Sequence, residues 1–395
     1  MSETITSISK EDKKMSHFVG IGLVLGFLLP HTSTAFLLVN PLLCLFYQCY
    51  KQNQLFYKYN WIVFVPILLT LLINFPQGVN SKAIMVCLTI LLYFFCFPIV
   101  REVQIPNYYF YFILIIIILT QLAYLLHIPI LVNLLDTYYP ISENDTNGIA
   151  YMQNNITTEN MLDFRMGGLY RNSNQCSRYL TFLLASFLVL NDEKPLRKLI
   201  PFVIVAFYAV LLTGSRTGFV VASMIIIAYL FVDKRVSAGL RYGVTFVAVV
   251  GFLFMIFVGS DTFRGGNVMD TNSTDMKLAT FGYYLSSENS VFRLLIGYLD
   301  VSRFDHEGAM IDVMNNFDSD YGSIIFSYGF VGFFAILIYY FTIFLKMDNK
   351  GRVFFLLLLW MYSSTIVKSY RALFLFMLLL SLVYGRHKRC VSNHK

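Results

Sequence analysis

The chain has 395 residues, of which 57% are hydrophobic, 17% aromatic and 13% charged. A soluble domain carries about 25% charged residues, so a water-soluble fold of this composition lacks the polar surface it would need, and a polytopic membrane protein is indicated. The net charge of +7, from 30 basic and 23 acidic residues, therefore does not point to nucleic acid, and six scattered cysteines without CxxC or metal-type spacing exclude a secreted disulfide scaffold.

Met1 to Ser16 is polar, with Lys10, Lys13 and Lys14 just before the first apolar run. No small-residue cleavage site follows that run, so it is expected to be a retained first span. A span needs roughly 17 to 25 apolar residues. In chain order the apolar runs predict twelve, at about 17–30, 33–50, 59–74, 82–100, 107–127, 168–190, 199–214, 217–232, 240–258, 322–345, 353–367 and 371–385. Two polar stretches, 128–167 and 259–321, stand apart, and no internal repeat is visible. With the N-terminus in the cytoplasm and strict alternation, 19 of the 30 cations but only 8 of the 23 acids are cytoplasmic. Both long loops are then external, and both termini cytoplasmic.

Two hairpins are short. Between Lys198 and Asp233 lie 34 residues, and between Arg352 and Arg386 lie 33, whereas two full spans need roughly 40. Their outer turns are expected to sink below the membrane surface, carrying Arg216 in one, and Lys368 and Arg371 in the other. A cation in lipid costs at least about 2.5–3.5 kcal/mol, so each should face a partner or a wet cavity, or snorkel to the outer headgroups.

Three outward stretches stand out: Arg165 to Arg178, with Arg171, Asn174 and a Gly pair; Thr213-Gly214-Ser215-Arg216-Thr217-Gly218; and Asn315 to Gly322, with Asp318, Asp320 and Tyr321. Arginine forks bind phosphate oxygens in pairs, glycine turns let backbone N–H groups approach the same oxygens, and a carboxylate beside them can act as a base on a hydroxyl. Together they suit an anionic lipid-linked substrate. Each has a plainer use: the arginines can bind headgroups or acidic loops, and Asp318 or Asp320 can cap the tenth span.

The order of these elements resembles the O-antigen polymerase and O-antigen ligase superfamily. The residues that carry the resemblance are Gly168 to Asn174, Ser215 to Gly218, loop 259–321, the segment Arg293 to Tyr298, and Asp318 to Tyr321 followed by Ser327-Tyr328-Gly329-Phe330-Val331-Gly332. The resemblance implies an all-α, polytopic glycosyltransferase of a bacterial inner membrane, with one membrane domain over 1–395. Its substrate would be a polyprenyl-diphosphate-linked oligosaccharide, and a chain-length regulator protein would be a further partner. No cofactor or metal is implied. The product would be O-antigen, capsule or another exopolysaccharide. Ligases carry a His beside the Asn or Asp of the last loop; here His306 lies twelve residues before Asp318, which favours the polymerase. A flippase of the same lipid-linked units is the rival from another class, but it would place charges inside its helices, and the spans here are almost free of them.

On this reading Arg216, Arg165 and Arg171 stabilise the departing diphosphate, with Arg178 and Arg371 behind them. Asp318 is the expected base, Asp320 the cap of the tenth span, and Glu307 or His306 the reserve. Asn174 and Tyr321 orient sugar or phosphate. Phe263, Phe281, Tyr283 and Tyr284 would line a sugar groove, or else sit in an interfacial aromatic belt.

Overall fold

A computed structural model describes residues 10–29, 59–77, 81–96, 103–126, 128–138, 166–170, 173–257, 282, 285, 291–299, 320–363, 366–367 and 369–392. The regular elements among these residues are all helical. In chain order they are α1 (Lys10–Leu28), α2 (Asn60–Asn74), α3 (Ser81–Cys96), α4 (Asn107–Leu125), α5 (Pro129–Tyr138), α6 (Ser173–Leu190), α7 (Leu196–Leu212), α8 (Arg216–Val232), α9 (Ala238–Phe257), α10 (Val291–Ile296), α11 (Asp320–Lys346), α12 (Asn349–Arg352), α13 (Trp360–Ser363) and α14 (Tyr370–Ser392). Tighter 3-10 winding occurs at Phe75–Gln77, Gly168–Tyr170 and Val353–Leu359.

The all-helical expectation holds. The described parts of the expected apolar runs are largely helical, as α-helix or 3-10 turns, while the run 33–50 lies outside the described residues. Among them, α4 and α11 are long and apolar enough to cross a membrane; Ser16–Leu28, Asn60–Asn74, Ala83–Phe94, Arg216–Val232 and Ala238–Val250 are apolar but shorter. Large apolar side chains stand exposed along the outer faces, among them Leu72, Phe112, Ile204, Phe246 and Phe341.

Three runs depart from the single helix expected, and the run 322–345 does so by a non-helical residue, Gly329, inside α11. The run 168–190 starts as a 3-10 turn because Gly168 has φ +52°, a left-handed conformation that an α-helix cannot include. The run 353–367 is 3-10 over Val353–Leu359. That winding rises about 2.0 Å per residue against about 1.5 Å for an α-helix, so it lengthens the shorter hairpin.

The central post is α6, with 15 of its 18 residues buried, so its polar side chains need internal partners. Thr181 Oγ1 donates to Arg178 O at 2.7 Å and accepts from Trp360 Nε1 at 2.8 Å, and Ser186 Oγ donates to Phe182 O at 2.6 Å. Helices α7, α8 and α14 pack around it.

Contacts sort the helix ends into two sets. At the near end, His17 meets Tyr108 and Tyr109, Lys346 Nζ lies 3.7 Å from the Tyr59 ring centre, and an ionic network joins residues 192 to 386. At the far end, Phe27 O meets Tyr170 and Arg371, Asn74 meets Gly297, Ser215 meets Asn174, and Asp320 meets Val367.

In the near-end network, Asp192 Oδ2 accepts from Arg386 Nη2 at 2.5 Å and stands 3.2 Å from Lys350 Nζ. Arg386 also reaches Asp348 at 3.4 Å, and Lys350 reaches Asp233 at 3.8 Å. Arg235 grips Asp233 through Nε at 2.9 Å and Nη2 at 2.6 Å, and donates to Asp192 O at 2.6 Å. Burial works to raise the Asp233 carboxyl, but the Arg235 hydrogen bonds and the charges of Lys350 and Arg235 outweigh it and hold the group below the ordinary carboxylate value. The network staples the ends of α6, α8, α11 and α14 together.

Candidate functional site

The turn between α7 and α8 shows how the far end is built. Gly214 has φ +59° and donates its N–H to Leu211 O at 2.9 Å, ending α7 as a left-handed glycine does. Ser215 then caps α8: its Oγ accepts from Gly218 N at 3.2 Å. The same Oγ donates to Asn174 Oδ1 at 3.0 Å, tying the turn to the first residues of α6. Gly218 completes the joint, because a Cβ there would stand 2.5 Å from Ser177 Cβ. Two of the three outward stretches singled out in the sequence are thus brought together. Arg216, half-buried, is the first residue of α8, where its charge adds to the positive end of the helix dipole.

Arg178 and Arg371 are 1% and 4% exposed. They flank one tyrosine: Arg178 lies 4.9 Å and Arg371 5.1 Å from the Tyr179 ring centre, and Arg371 lies 4.7 Å from that of Tyr170. The two rings are 4.7 Å apart. Such stacking suits a guanidinium withdrawn from water. Arg371 also donates through Nε to Gly26 O at 2.9 Å and through Nη2 to Phe27 O, and Tyr170 Oη donates to Phe27 O at 2.9 Å. These carbonyls belong to the last turn of α1, whose acceptors lack helical partners and which favours a cation. The Arg371 expectation is met by protein partners.

Gln121, fully buried near the end of α4, donates to Met166 O at 3.2 Å and Ala209 O at 3.0 Å, and so fixes the strand of chain before α6 against α7. The sequence alone did not single it out, although an amide near the end of an apolar run was a visible signal. Tyr179 was not singled out either, and among 27 tyrosines nothing marked it; Tyr170 lies inside the Gly168 to Asn174 element, but no role was read for it.

A second joint lies at the same end. Helix α11 is broken at Gly329 (φ +64°, ψ −177°). The carbonyls of Phe326 and Ser327 accept instead from Tyr298 N at 2.9 Å and Leu299 N at 2.8 Å. Arg293 lies beside this joint, donating to Asn74 Oδ1 at 2.7 Å, with its guanidinium 5.2 Å from the Tyr298 ring centre. The segments Arg293 to Tyr298 and Ser327 to Gly332, separate in the sequence, are therefore one structural unit.

Asp320 requires a correction. It opens α11, as a cap would, but its carboxylate turns away from that helix. Oδ2 accepts from Val367 N at 2.8 Å and from Ile366 N, and the residue is fully buried. Two backbone donors beyond α13, left without helical partners, draw the charge there. Tyr321, half-buried, packs edge-on against Phe333 at 5.7 Å. Asp318, Arg165, Arg171, Lys368, His306, Glu307 and the aromatics Phe263, Phe281, Tyr283 and Tyr284 lie outside the described residues.

The arrangement concentrates Arg178, Arg216, Arg293 and Arg371 at one end of the bundle, next to capped turns and close glycine packing. That chemistry suits an anion rich in oxygen. Comparison with protein-family models, curated proteins and solved structures finds no match for this chain.

Proposed function

We propose that the chain is a twelve-span enzyme of a bacterial inner membrane, with both termini cytoplasmic and the far end outside, that polymerises lipid-linked repeat units of a surface polysaccharide. The observation that carries the reading is the meeting of Asn174 and Ser215 beside Arg216 and the Arg178–Tyr179–Arg371 stack. It joins elements that the sequence order had linked to a polymerase. The exposed apolar belt and the grouping of Lys346, Lys350, Arg235 and Arg386 at the opposite end support the membrane and its orientation.

In the reaction, a hydroxyl oxygen of the incoming lipid-linked unit attacks the anomeric carbon of the growing glycan. The bond from that carbon to the diphosphate oxygen breaks, and its electron pair stays with the polyprenyl diphosphate. Arg216 stabilises the charge that develops there, with Arg165 and Arg171 in the same task and Arg178 and Arg371 behind them. Asp318 takes the hydroxyl proton. Asn174 and Tyr321 orient the two units.

The test is a chain-length assay with purified protein and a lipid-linked repeat unit. Arg216→Ala should abolish polymer, and Arg216→Lys should restore it only in part, since an ammonium lacks the planar fork. Asp318→Asn should cost about 10²–10⁴ in rate if the base is used. Wild-type chain length from Arg216→Ala removes that residue from the site, and transfer to a lipid A core instead of a second repeat makes the enzyme a ligase.

A further inference from the structure

The transfer joins two anionic substrates. The donor loses its diphosphate, but the incoming unit keeps its own, because only its hydroxyl reacts. Two diphosphates gathered on one arginine cluster would repel each other, so the second needs a cation of its own. Arg293 is a far-end arginine without a part in the transfer described so far.

Its surroundings fix it in place. Asn74 is fully buried, and its Nδ2 donates to Thr70 O at 2.8 Å and to Gly297 O at 3.4 Å. Thr70 Oγ1 donates in turn to Ile296 O at 3.0 Å. The amide is thereby oriented with Oδ1 toward Arg293 Nη1, 2.7 Å away. The Tyr298 ring lies against the same guanidinium, 5.2 Å from its centre. Arg293 itself is half-buried, so the anchored cation stays reachable from outside the bundle.

The break in α11 adjoins it. A Cβ on Gly297 would stand 2.5 Å from Gly329 N, so the two backbones touch. Phe330 to Lys346 starts there as a second half-helix, and its positive end adds to the charge of Arg293. Ser327 is 1% exposed, and its Oγ has no hydrogen-bond partner among the described residues. Polar capacity is therefore left over at the break. Exposed apolar side chains stand beside it, Phe292 and Leu295 on α10 and Val331 and Phe334 on α11. A cation at the end of the bundle with apolar surface next to it suits the headgroup of an anionic amphiphile.

The first half of α11, Asp320 to Tyr328, separates this site from the arginine cluster. Asp320 holds Val367, four residues before Arg371. A half-helix of that length, rising about 1.5 Å per residue, spans roughly 12 Å. That exceeds the Debye length of about 10 Å in ~0.1 M salt.

We propose that Arg293 binds the diphosphate of the incoming lipid-linked unit, while the arginine cluster serves the donor. The inference rests on the polymerase reading and adds the acceptor subsite to it. No bond to this diphosphate forms or breaks; it anchors the unit whose hydroxyl attacks.

The test offers the purified full chain two acceptors at equal mole fraction in mixed micelles. One is the diphosphate-linked repeat unit, which is also the donor. The other is the same repeat unit joined to its lipid without phosphate. The ratio of the two first-transfer products is read within one sample, so a variant that is merely damaged loses both together. The parent should favour the diphosphate acceptor about tenfold, equivalent to ~1.4 kcal/mol. Arg293→Gln should bring the ratio close to one while transfer to the neutral acceptor continues. Arg216→Lys should lower both products and leave the ratio unchanged. A parent ratio of one, or a tenfold ratio kept by Arg293→Gln, overturns the proposal and leaves Arg293 as a support of the joint. Should Arg293→Gln fail to insert, Arg293→Met repeats the comparison. No transfer to either acceptor by the parent overturns the polymerase reading and the proposal with it.

Discussion

Ser215 does two things with one hydroxyl: it accepts from Gly218 N to start α8 and donates to Asn174 Oδ1 to hold α6 beside it. Ser215→Ala removes both and should lower stability by about 1 kcal/mol, the usual value of a cap. Ser215→Asp separates them, because an aspartate still caps but has no proton to give Asn174. It should therefore melt near the wild-type temperature and still make less polymer; wild-type polymer from Ser215→Asp would show that the Asn174 link does not serve the reaction. At this scale the sequence was readable wherever a residue was out of place. Arg216 and Arg371 stood out because cations beside apolar runs are costly, and Arg178 as one of a group of arginines able to grip phosphate. Tyr179, which stands between Arg178 and Arg371, was not out of place in a chain with 27 tyrosines.

The elements themselves were legible because apolar runs set their lengths, but their interruptions were not. The run 322–345 reads as one helix, yet α11 breaks at Gly329, where tertiary pairing with Tyr298 and Leu299 outweighs continuity. A local pattern holds no trace of a partner some thirty residues away. Asp320 was misread for the same reason: its position fits a cap, and only the fold brings Ile366 and Val367 within its reach. Two glycines now separate the cases. At Gly329 an added Cβ would lie 2.1 Å from Leu295 O, at φ +64°. Gly329→Ala should therefore cost at least the about 1–3 kcal/mol of a strained backbone. Gly243, inside α9, has open space where its Cβ would be. Gly243→Ala should stabilise by about 0.5–1 kcal/mol, because alanine is the better helix former. Thermal unfolding in detergent checks both signs, and a neutral Gly329→Ala would mean that the break is not needed.

Across the whole molecule, the charge count had placed Asp192, Asp233, Asp348, Arg235, Lys350 and Arg386 on one side, and the fold gathers these six at one end. Which acid meets which base was beyond the sequence, since Arg386 and Asp192 are 194 positions apart. That pair has side chains 7% and 8% exposed, so Arg386→Ala leaves a buried carboxylate short of its closest partner and should cost about 3–5 kcal/mol. Replacing both, as Asp192→Leu with Arg386→Met, removes the stranded charge and should be milder than either single change, though Lys350 and Asp348 each lose a contact. The network also carries a pH signature. The Asp233 carboxyl is held below its ordinary value, so its unfolded form binds protons first as pH falls. Its contribution is therefore complete above about pH 4, the unfolded value, and is lost as pH drops through the lower folded value. Melting temperature followed from pH 7 down to pH 3 should fall at the acid end, and Asp233→Asn should start lower and fall less. A parallel fall in the two proteins would assign the acid loss to other carboxylates and leave Asp233 without a stabilising share in the network.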